Sequence, residues 1–320
     1  MDVFDVVAVG NAKIDIFLQV HDTNQHFKLN PQTKELCVIS GDKALVDKAF
    51  FTIGGNAANV SVGLSRMGLK TAIVAEIGSD EFADKIKNTL KKENVSEDYL
   101  KQAEGESSLS VIINYAKERT IFEENVEREH DYNFDNISGK WIYLTSIGKK
   151  WENAYRKTLD FVEKNNLKLA FNPGTAQLDD GLSEIAGIFK KTEILFLSKE
   201  EAIKILKLDS SSFTSDEESI KKLLFLLKEL GPKVAIITDG KNGSFMLDEN
   251  NNFFFQGIKE AEVVEKTGAG DAYASGFLSA VIFGQNYQTA MKWGTENSAS
   301  VIGKVGAQTG LLRRKEMEKT

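Results

Sequence analysis

Short apolar runs alternate along the chain with longer segments in which apolar positions repeat at helical spacing. The runs have the length and the continuous apolar character of buried parallel strands. They are Val3–Val9, Thr71–Ile77, Lys140–Thr145, Leu167–Phe171, Glu193–Leu197 and Lys233–Thr238. The helical segments are Asn56–Met67, Asp80–Glu93, Glu152–Lys164, Asp180–Lys190, Lys199–Leu206, Asp216–Leu230 and Tyr287–Val301. Because strands and helices alternate, we predict an α/β fold with a mostly parallel central sheet that helices cover on both faces.

A second group of strands has little helix between its members. Its members are Ile14–Val20, Glu35–Ser40, Lys43–Phe51, Ser108–Tyr115 and Thr120–Glu123. We interpret them as a small antiparallel sheet, hereafter called the lid. The lid is expected at about residues 14–52 and 107–124, inserted into a single domain that spans residues 1–320.

One stretch combines a glycine-rich turn with a carboxylate. It follows a strand-like run at Glu262–Val264 and leads into an apolar helix at Tyr273–Phe283. The first amides of a helix have no internal partners and attract anions, and small residues let a ligand approach them. Asp271 would repel a phosphate bound there, which favours a base that takes a proton from an attacking hydroxyl. The alternative is an ordinary helix start, whose small residues are Gly268, Ala269 and Gly270.

Other residues near predicted strand ends suit a neutral polar ligand. Asp15 can accept hydrogen bonds from two neighbouring hydroxyls, as a sugar would offer, or it is a solvated strand residue. Gly54 and Gly55 precede a helix on which Asn56 and Asn59 share one face. The alternative for this segment is helix capping by Asn56 and close packing of small residues.

A third group of residues suits a nucleotide and a metal ion. Thr238, Gly240 and Gly243 follow a strand, and their backbone could lie against a nucleotide, although an ordinary turn has the same composition. Glu200 and Glu201 begin a helix, where acidic residues complement the helix dipole or hold a magnesium ion through water. Ligands of parallel sheets lie beyond the carboxyl ends of the strands, so we expect all these groups to form one site.

Composition narrows the class of protein. The net charge of −7 and the pI near 5.3 argue against a nucleic-acid partner. Cys37 is the only cysteine, which excludes an intramolecular disulfide and suits a reducing cytoplasm. Asp2 and Asp5 stand where a signal peptide needs positive charge, and no apolar run approaches membrane length. We therefore expect a cytoplasmic protein without a membrane partner.

Taken together, the segments resemble a known family over nearly the whole chain. The chain is similar to the ribokinase-like carbohydrate kinases, the phosphofructokinase-B (PfkB) group. The residues that support the resemblance are Gly10, Asp15, Gly54-Gly55-Asn56-Ala57-Ala58-Asn59, Gly68, Gly78, Thr238, Gly240, Gly243 and Gly268-Ala269-Gly270-Asp271. The first and the last of these motifs, in this order and this far apart along the chain, are specific to the family.

The resemblance implies a role for each group. Asp271 would deprotonate the acceptor hydroxyl beside an anion hole formed by the preceding amides. The sugar would be held by Asp15, Gly54, Gly55 and Asn59. The ATP site would be lined by Thr238, Gly240, Gly243 and Asn297, and Glu201 would hold Mg²⁺. The lid would close over the sugar and exclude water.

The chain also departs from the family pattern at three places. Ser198 stands where the family usually has Asn ahead of its acidic magnesium residue. Glu265-Lys266-Thr267 replaces a common Asp-Thr-Thr, and Gly310 replaces a serine that helps to bind a monovalent cation. Our hypothesis is that Lys266 supplies the positive charge and that the enzyme works without potassium. The alternative is that Lys266 points into solvent.

The sequence therefore predicts an ATP- and magnesium-dependent kinase of a small sugar. A nucleoside kinase is an alternative, in which Phe17 and Val38 of the lid would enclose a base. A catalytically inactive ligand-binding regulator is another, against which the retained Gly268–Asp271 segment argues. Because the lid edge offers unpaired strand groups, we also expect a homodimer formed through the lid.

Overall fold

The structure, a computed structural model, describes residues 3–116 and 118–319. Asp2 and Lys117, which falls in the predicted lid range, lie outside these residues. The main sheet has the strand order β16-β15-β14-β13-β12-β11-β1-β6-β7, with β8 also paired to β6. Its strands are β1 (Val3–Val9), β6 (Thr71–Ile77), β7 (Val95–Ser96), β8 (Leu100–Gln102), β11 (Ser138–Thr145), β12 (Lys168–Asn172), β13 (Ile194–Ser198), β14 (Val234–Thr238), β15 (Ser244–Leu247) and β16 (Phe253–Gln256). All pairs are parallel except β14 with β15 and β15 with β16, so the predicted α/β class is confirmed.

Helices cover both faces of the main sheet. Two separate apolar cores result, because alternate residues of each buried strand point to opposite faces. On one face α1, α8 and α9 pack, and on the other α3, α5, α6 and α7 pack. The helices are α1 (Asn56–Arg66), α2 (Glu81–Lys92), α3 (Glu152–Lys164), α4 (Thr175–Asp180), α5 (Leu182–Phe189), α6 (Lys199–Ile205), α7 (Glu217–Glu229), α8 (Ala269–Ile282), α9 (Tyr287–Ile302) and α10 (Arg314–Met317).

The lid is a separate four-stranded sheet. Its order is β10-β9-β2-β5, with strands β2 (Lys13–Gln19), β5 (Lys48–Gly54), β9 (Leu109–Tyr115) and β10 (Glu118–Glu124). The expectation of an antiparallel lid is wrong for its central pair, because β2 and β9 run parallel. Pairing aligns four polar side chains in one row across the sheet, Thr52, Asp15, Ser110 and Glu123. Cross-strand neighbours share a face, so this row is the polar inner row of the lid.

A two-stranded hairpin is attached to the lid. It consists of β3 (Phe27–Leu29) and β4 (Leu36–Val38), so the predicted strand Glu35–Ser40 belongs to this hairpin and not to the lid sheet. The Tyr115 hydroxyl on β9 donates to the Phe27 carbonyl oxygen at 3.0 Å, which fixes the hairpin to the lid. Cys37 is exposed on β4.

Three other predicted elements are corrected. Residues Glu262–Val264 form a loop whose Val264 amide donates to the Ile302 carbonyl at the end of α9, so they have no strand partner. The helix predicted at Asp180–Lys190 is α5, which begins only at Leu182, because Gly181 with a φ of 95° separates it from α4, a helix that the sequence analysis did not predict. The strand predicted to begin at Lys43 begins five residues later, at Lys48. No helix among residues 3–116 and 118–319 combines the length and apolar character needed to cross a bilayer.

Candidate active site

A cleft of about 1400 Å³ lies beyond the carboxyl ends of the main-sheet strands. Its lining includes the last residues of three successive strands, namely Asn172, Ser198 and Thr238, and the whole segment Gly268–Asp271. Arg119 of the lid lines it from the opposite side. The predicted anion, metal and nucleotide residues, except Asn297, are therefore together in one cleft, since parallel strands deliver their carboxyl ends to one edge.

Asp271 lies in the first turn of α8 and is held by two asparagines. Its Oδ1 accepts a hydrogen bond from Asn56 Nδ2 at 3.1 Å, and its Oδ2 accepts one from Asn59 Nδ2 at 2.8 Å. Burial raises the pKa of Asp271 to about 7, although both hydrogen bonds oppose the rise. A carboxylate with such a pKa accepts a proton near neutral pH, so the geometry and the acidity both suit a general base.

Asn59, which the family resemblance assigns to the sugar, is buried, and its side chain bonds to Asp271. Its Oδ1 accepts from Gln308 Nε2 at 3.0 Å, so the amide of Asn59 is engaged on both sides. Asn56 does not cap its helix, because the N-cap is Gly55 and no side-chain cap is formed. Sequence reasoning had placed Asn56 and Asn59 on one face but did not connect them to Asp271, which lies more than 200 positions away.

The turn before α8 requires glycine at one position. Gly268 has a left-handed φ of 79°, and a β-carbon there would lie 2.5 Å from the Ala307 β-carbon. The Ala269 amide donates to the Lys266 carbonyl at 3.3 Å. In the described part of the chain the amides of Gly270 and Asp271 have no such partner. The Gly268 amide likewise has no partner among the described residues, so of the predicted set of Gly268, Ala269 and Gly270 only Ala269 has its amide engaged, and Asp271 adds one more available amide.

Asp15 lies in the polar inner row of the lid and is almost fully buried. Gly54 makes room for it, because a β-carbon at position 54 would overlap the Asp15 carboxylate. Burial raises the pKa of Asp15 to about 6; Lys13 opposes the rise, and Glu265 and Glu123 add to it. A neighbouring glycine, Gly55, has a φ of 90° and packs against the Asn11 carbonyl, so α1 begins close to Asp15.

Charged side chains of the lid reach the segment ahead of α8. Arg119 Nη1 donates to Thr267 Oγ1 at 2.8 Å and lies 3.3 Å from Glu265 Oε1. Glu265 is buried, and its Oε1 also accepts from the Thr267 amide at 2.8 Å. Lys266 is largely exposed, and its nearest acidic partner is Glu118 at 3.9 Å. The cation beside Glu265 is therefore Arg119, which the sequence analysis did not single out, and not Lys266.

The predicted nucleotide residues separate into two groups. Thr238, Gly240 and Gly243 line the cleft, and Gly243 has a φ of 93° that suits glycine. Asn297 does not line it: it is fully buried, and its Nδ2 donates to the Ala272 carbonyl at 2.8 Å. Its Oδ1 accepts from the Leu312 amide at 2.8 Å, so Asn297 joins α8, α9 and the following segment. The α9 residues that reach the cleft are Thr295, Ser298, Ala299 and Ile302.

Glu201 combines a structural role with exposure to the cleft. Its Oε2 accepts from the Ser198 amide at 2.7 Å, and Ser198 Oγ accepts from the Glu201 amide at 3.1 Å, which is a reciprocal capping box. Burial raises the pKa of Glu201. Its second oxygen has no hydrogen-bond donor in the described ranges, and the residue lines the cleft. One free carboxylate oxygen fits a magnesium ion bound mainly by phosphates and water.

Comparisons with known proteins agree with this geometry. Residues 6–314 match the model of the pfkB family carbohydrate kinases. The chain is 28% identical over 272 residues to the fructosamine kinase FrlD of Bacillus subtilis (strain 168), covering 82% of this chain and 87% of that protein. It is 24% identical to a 5-dehydro-2-deoxygluconokinase of Clostridium beijerinckii, with coverage of 93% and 87%.

A solved structure shows the same fold. Arabidopsis thaliana ribokinase complexed with ribose and ATP superposes with a TM-score of 0.81 at 17% identity, covering 99% of this chain and 98% of that chain. The family resemblance and the prediction of a carbohydrate kinase are thus confirmed. The chain belongs to the pfkB family of carbohydrate kinases.

Proposed function

We propose that the protein transfers the γ-phosphoryl group of ATP to a hydroxyl of a small sugar, with Asp271 as the base. One observation carries the proposal most directly. The buried Asp271 carboxylate is fixed by two asparagine amides at the start of α8, inside the cleft that Thr238, Gly240 and Gly243 also line. A base held in this way is ready to receive a proton without rearrangement.

The reaction needs little beyond positioning and charge stabilisation. The acceptor oxygen forms a bond to the γ-phosphorus as the bond to the ADP oxygen breaks, and the hydroxyl proton moves to Asp271. The free amides of Gly270 and Asp271 stabilise charge on the transferred group. Mg²⁺, held by ATP oxygens and Glu201, would neutralise phosphate charge.

The proposed binding site for the acceptor sugar lies at the lid. Asp15 faces inward from β2 and offers acceptor oxygens for sugar hydroxyls, with Gly54 and Gly55 at the base of the lid. The two curated relatives act, by their names, on a fructosamine and a 5-dehydro-2-deoxygluconate, so we infer a modified ketose or related sugar as acceptor. A nucleoside is less well supported, because Phe17 is fully buried within the lid and Val38 is exposed on the hairpin.

We also propose a cytoplasmic homodimer that associates through the outer face of the lid. On that face pairing aligns an apolar row of four side chains, Phe51, Ile16, Val111 and Phe122. Phe51 is 50% exposed and Phe122 is 57% exposed. An apolar row on a small sheet is a surface that a second copy can cover.

The test is an ADP-release assay against ketoses, aldoses, amino sugars, sugar acids and nucleosides. We expect turnover of at least one sugar, and a loss of about 10³-fold or more in kcat for Asp271→Asn. The control is Asp160→Asn on the exposed side of α3, which should retain full activity. If Asp271→Asn keeps normal turnover, or if no acceptor supports ADP release while ATP binds, the proposal is wrong.

A further inference from the structure

A chain of hydrogen bonds leads from the proposed base to a loop outside the cleft. Asp271 Oδ2 accepts from Asn59 Nδ2 at 2.8 Å, and Asn59 Oδ1 accepts from Gln308 Nε2 at 3.0 Å. Each of the three residues is at most 9% exposed, so water competes little for these bonds. Gln308 belongs to the loop between α9 and α10, which does not line the cleft.

The chemistry of the three groups sets the direction of these bonds. An ionised carboxylate only accepts, so Asn59 must turn its nitrogen towards an ionised Asp271. The Asn59 oxygen then points away from the base and needs a donor of its own, because a buried acceptor without a partner is costly. Gln308 supplies that donor. The observed orientation of Asn59 is therefore the one that stabilises the charged form of Asp271.

An arginine clamps the backbone of the loop that carries Gln308. Arg66 Nη1 donates to the carbonyl oxygens of Gln308 and Leu311, at 2.7 and 3.1 Å. Arg66 Nε and Nη2 donate to the two oxygens of Glu93, at 2.9 and 2.7 Å. A bidentate pair of this kind holds the guanidinium in one orientation. The position of Gln308 is thus fixed independently of the cleft.

Helix α1 connects the two ends of this arrangement. Asn59 and Arg66 both lie on α1, about two helical turns apart, so they share one face of the helix. Between them Gly63 allows α8 to approach, because a β-carbon at position 63 would lie 2.3 Å from Ser275 Oγ. Helix α1 therefore holds the base through Asn59 and the loop through Arg66, and the loop returns to Asn59 through its glutamine.

We propose that Gln308 is a positioning residue of the reaction, which holds Asn59 as a donor to Asp271 and so favours the ionised form of the base. This inference rests on the proposed function, and it adds a residue from outside the cleft. Without a donor at position 308, the Asn59 oxygen regains a partner by turning to accept from a protonated Asp271. The protonated form then becomes more stable, and the pKa of the base rises.

Other groups also act on Asp271, and they remain in place when Gln308 is replaced. They are Asn56 of α1, Asp15 of β2, Glu201 of α6 and the Tyr143 hydroxyl of β11. Burial raises the pKa of Asp271 most, and the two carboxylates add to the rise. A change in this pKa on replacement of Gln308 therefore reports the orientation of the Asn59 amide.

The test measures the pKa of Asp271 with and without a donor at position 308. In Gln308→Met the side chain keeps its length and loses its N–H groups. Protein labelled with ¹³C in its aspartate carboxyl groups is titrated by NMR, and the Asp271 signal is the one absent from Asp271→Asn. We expect the titration midpoint of Gln308→Met to lie about 0.5 to 1 pH unit above that of the unaltered protein.

Steady-state kinetics gives a second readout. For Gln308→Met, kcat/KM should fall about threefold to tenfold at about pH 6, but less than about twofold at about pH 9, where the base is ionised in both proteins. The matched control is Gln285→Met between α8 and α9, where the side chain is exposed, and it should change neither the midpoint nor the rates. A partly unfolded variant would lose activity equally at both pH values.

The outcomes separate the two proposals. If the Asp271 midpoint is the same in Gln308→Met as in the unaltered protein, the positioning role is overturned, whether or not an acceptor has been found. A loss of activity that is equal at both pH values also overturns it, and the kinase proposal stands in either case. If Asp271→Asn keeps normal turnover, the proposed function fails, and the positioning role fails with it even where the midpoint moves.

Discussion

If Asp271 is the base, as we propose, the acidity of its carboxyl group sets the pH range of the reaction. Because burial raises the pKa of Asp271 to about 7, this carboxyl group is protonated and inactive as a base well below that pH. We expect kcat/KM to rise with pH through about 7 and then to level off, since a deprotonated Asp271 is required. The measurement is the pH dependence of ADP release between about pH 5 and pH 9 with a saturating nucleotide. A rate that is already maximal at about pH 5 would contradict this assignment.

At the residue scale, the sequence predicts the position of a feature best when the residues that form it are consecutive in the chain. Gly268–Asp271 stands out in the sequence because its small residues and its carboxylate are consecutive, and in the structure this segment lines the cleft. Asn56 and Gln308 were missed as partners of the site, because their contacts cross more than 200 positions. The resemblance assigns Asn297 to the nucleotide site. In the structure its side-chain amide instead forms hydrogen bonds inside the core, and the sequence of α9 does not reveal which face of the helix a polar residue lies on.

A glycine at the junction of β5 and α1 determines whether Asp15 can occupy its position. In Gly54→Ala the new methyl group overlaps the Asp15 carboxylate and displaces it from the inner row. We expect KM for the acceptor to rise about tenfold or more, with a smaller effect on KM for ATP. Steady-state kinetics with each substrate varied in turn measures both constants.

The matched control for this change is Gly187→Ala in α5. A β-carbon there meets no atom within 4 Å, so the variant should keep its kinetics and gain slightly in stability from the better helix propensity of alanine. An unchanged acceptor KM in Gly54→Ala would show that Asp15 does not contact the acceptor.

Strand β10 brings a cation to the loop ahead of α8. Arg119 bonds to Thr267 and Glu265, so it fixes the lid to the segment that holds the anion-binding amides. We predict that Arg119→Gln lowers kcat/KM by about tenfold or more, whereas Lys266→Gln changes it less than about threefold. Turnover of the unaltered enzyme should be equal in sodium, potassium and Tris buffers, because a guanidinium already stands beside Glu265.

Two results would count against this interpretation. One is a large stimulation by potassium, which would mean that an inorganic cation is needed in spite of Arg119. The other is a loss in Lys266→Gln that matches the loss in Arg119→Gln, which would return the role to Lys266. Both variants should first be shown to melt at the temperature of the unaltered protein.

Elements were predicted best where the apolar pattern is continuous. The buried strands of the main sheet and the helices between them came from repeated local signals, and their order followed. The strand pairing of the lid was harder to predict, because strands that pair in the lid lie far apart in the sequence. The parallel pairing of β2 with β9 depends on the direction in which each leaves the main domain, which no local pattern records.

At the scale of the whole molecule, the exposed phenylalanines on the outer face of the lid provide a test of the proposed homodimer. We predict a homodimer by light scattering, and we predict that Phe122→Ser shifts it towards a monomer by removing an exposed aromatic group from one end of the apolar row. The control is Phe255→Ser on β16, which is equally exposed but lies on the far edge of the main sheet. A monomeric mass for the unaltered protein would refute the prediction.

The exposed thiol on β4 makes the lid observable. Because the chain has a single cysteine and its hairpin is bonded to β9 through Tyr115, a thiol-reactive fluorophore attaches at one known place that moves with the lid. No residue has to be replaced to obtain this label. Stopped-flow fluorescence of the labelled native sequence can therefore test whether the lid closes when substrates bind, and it can compare the rate of that closure with the rate of turnover.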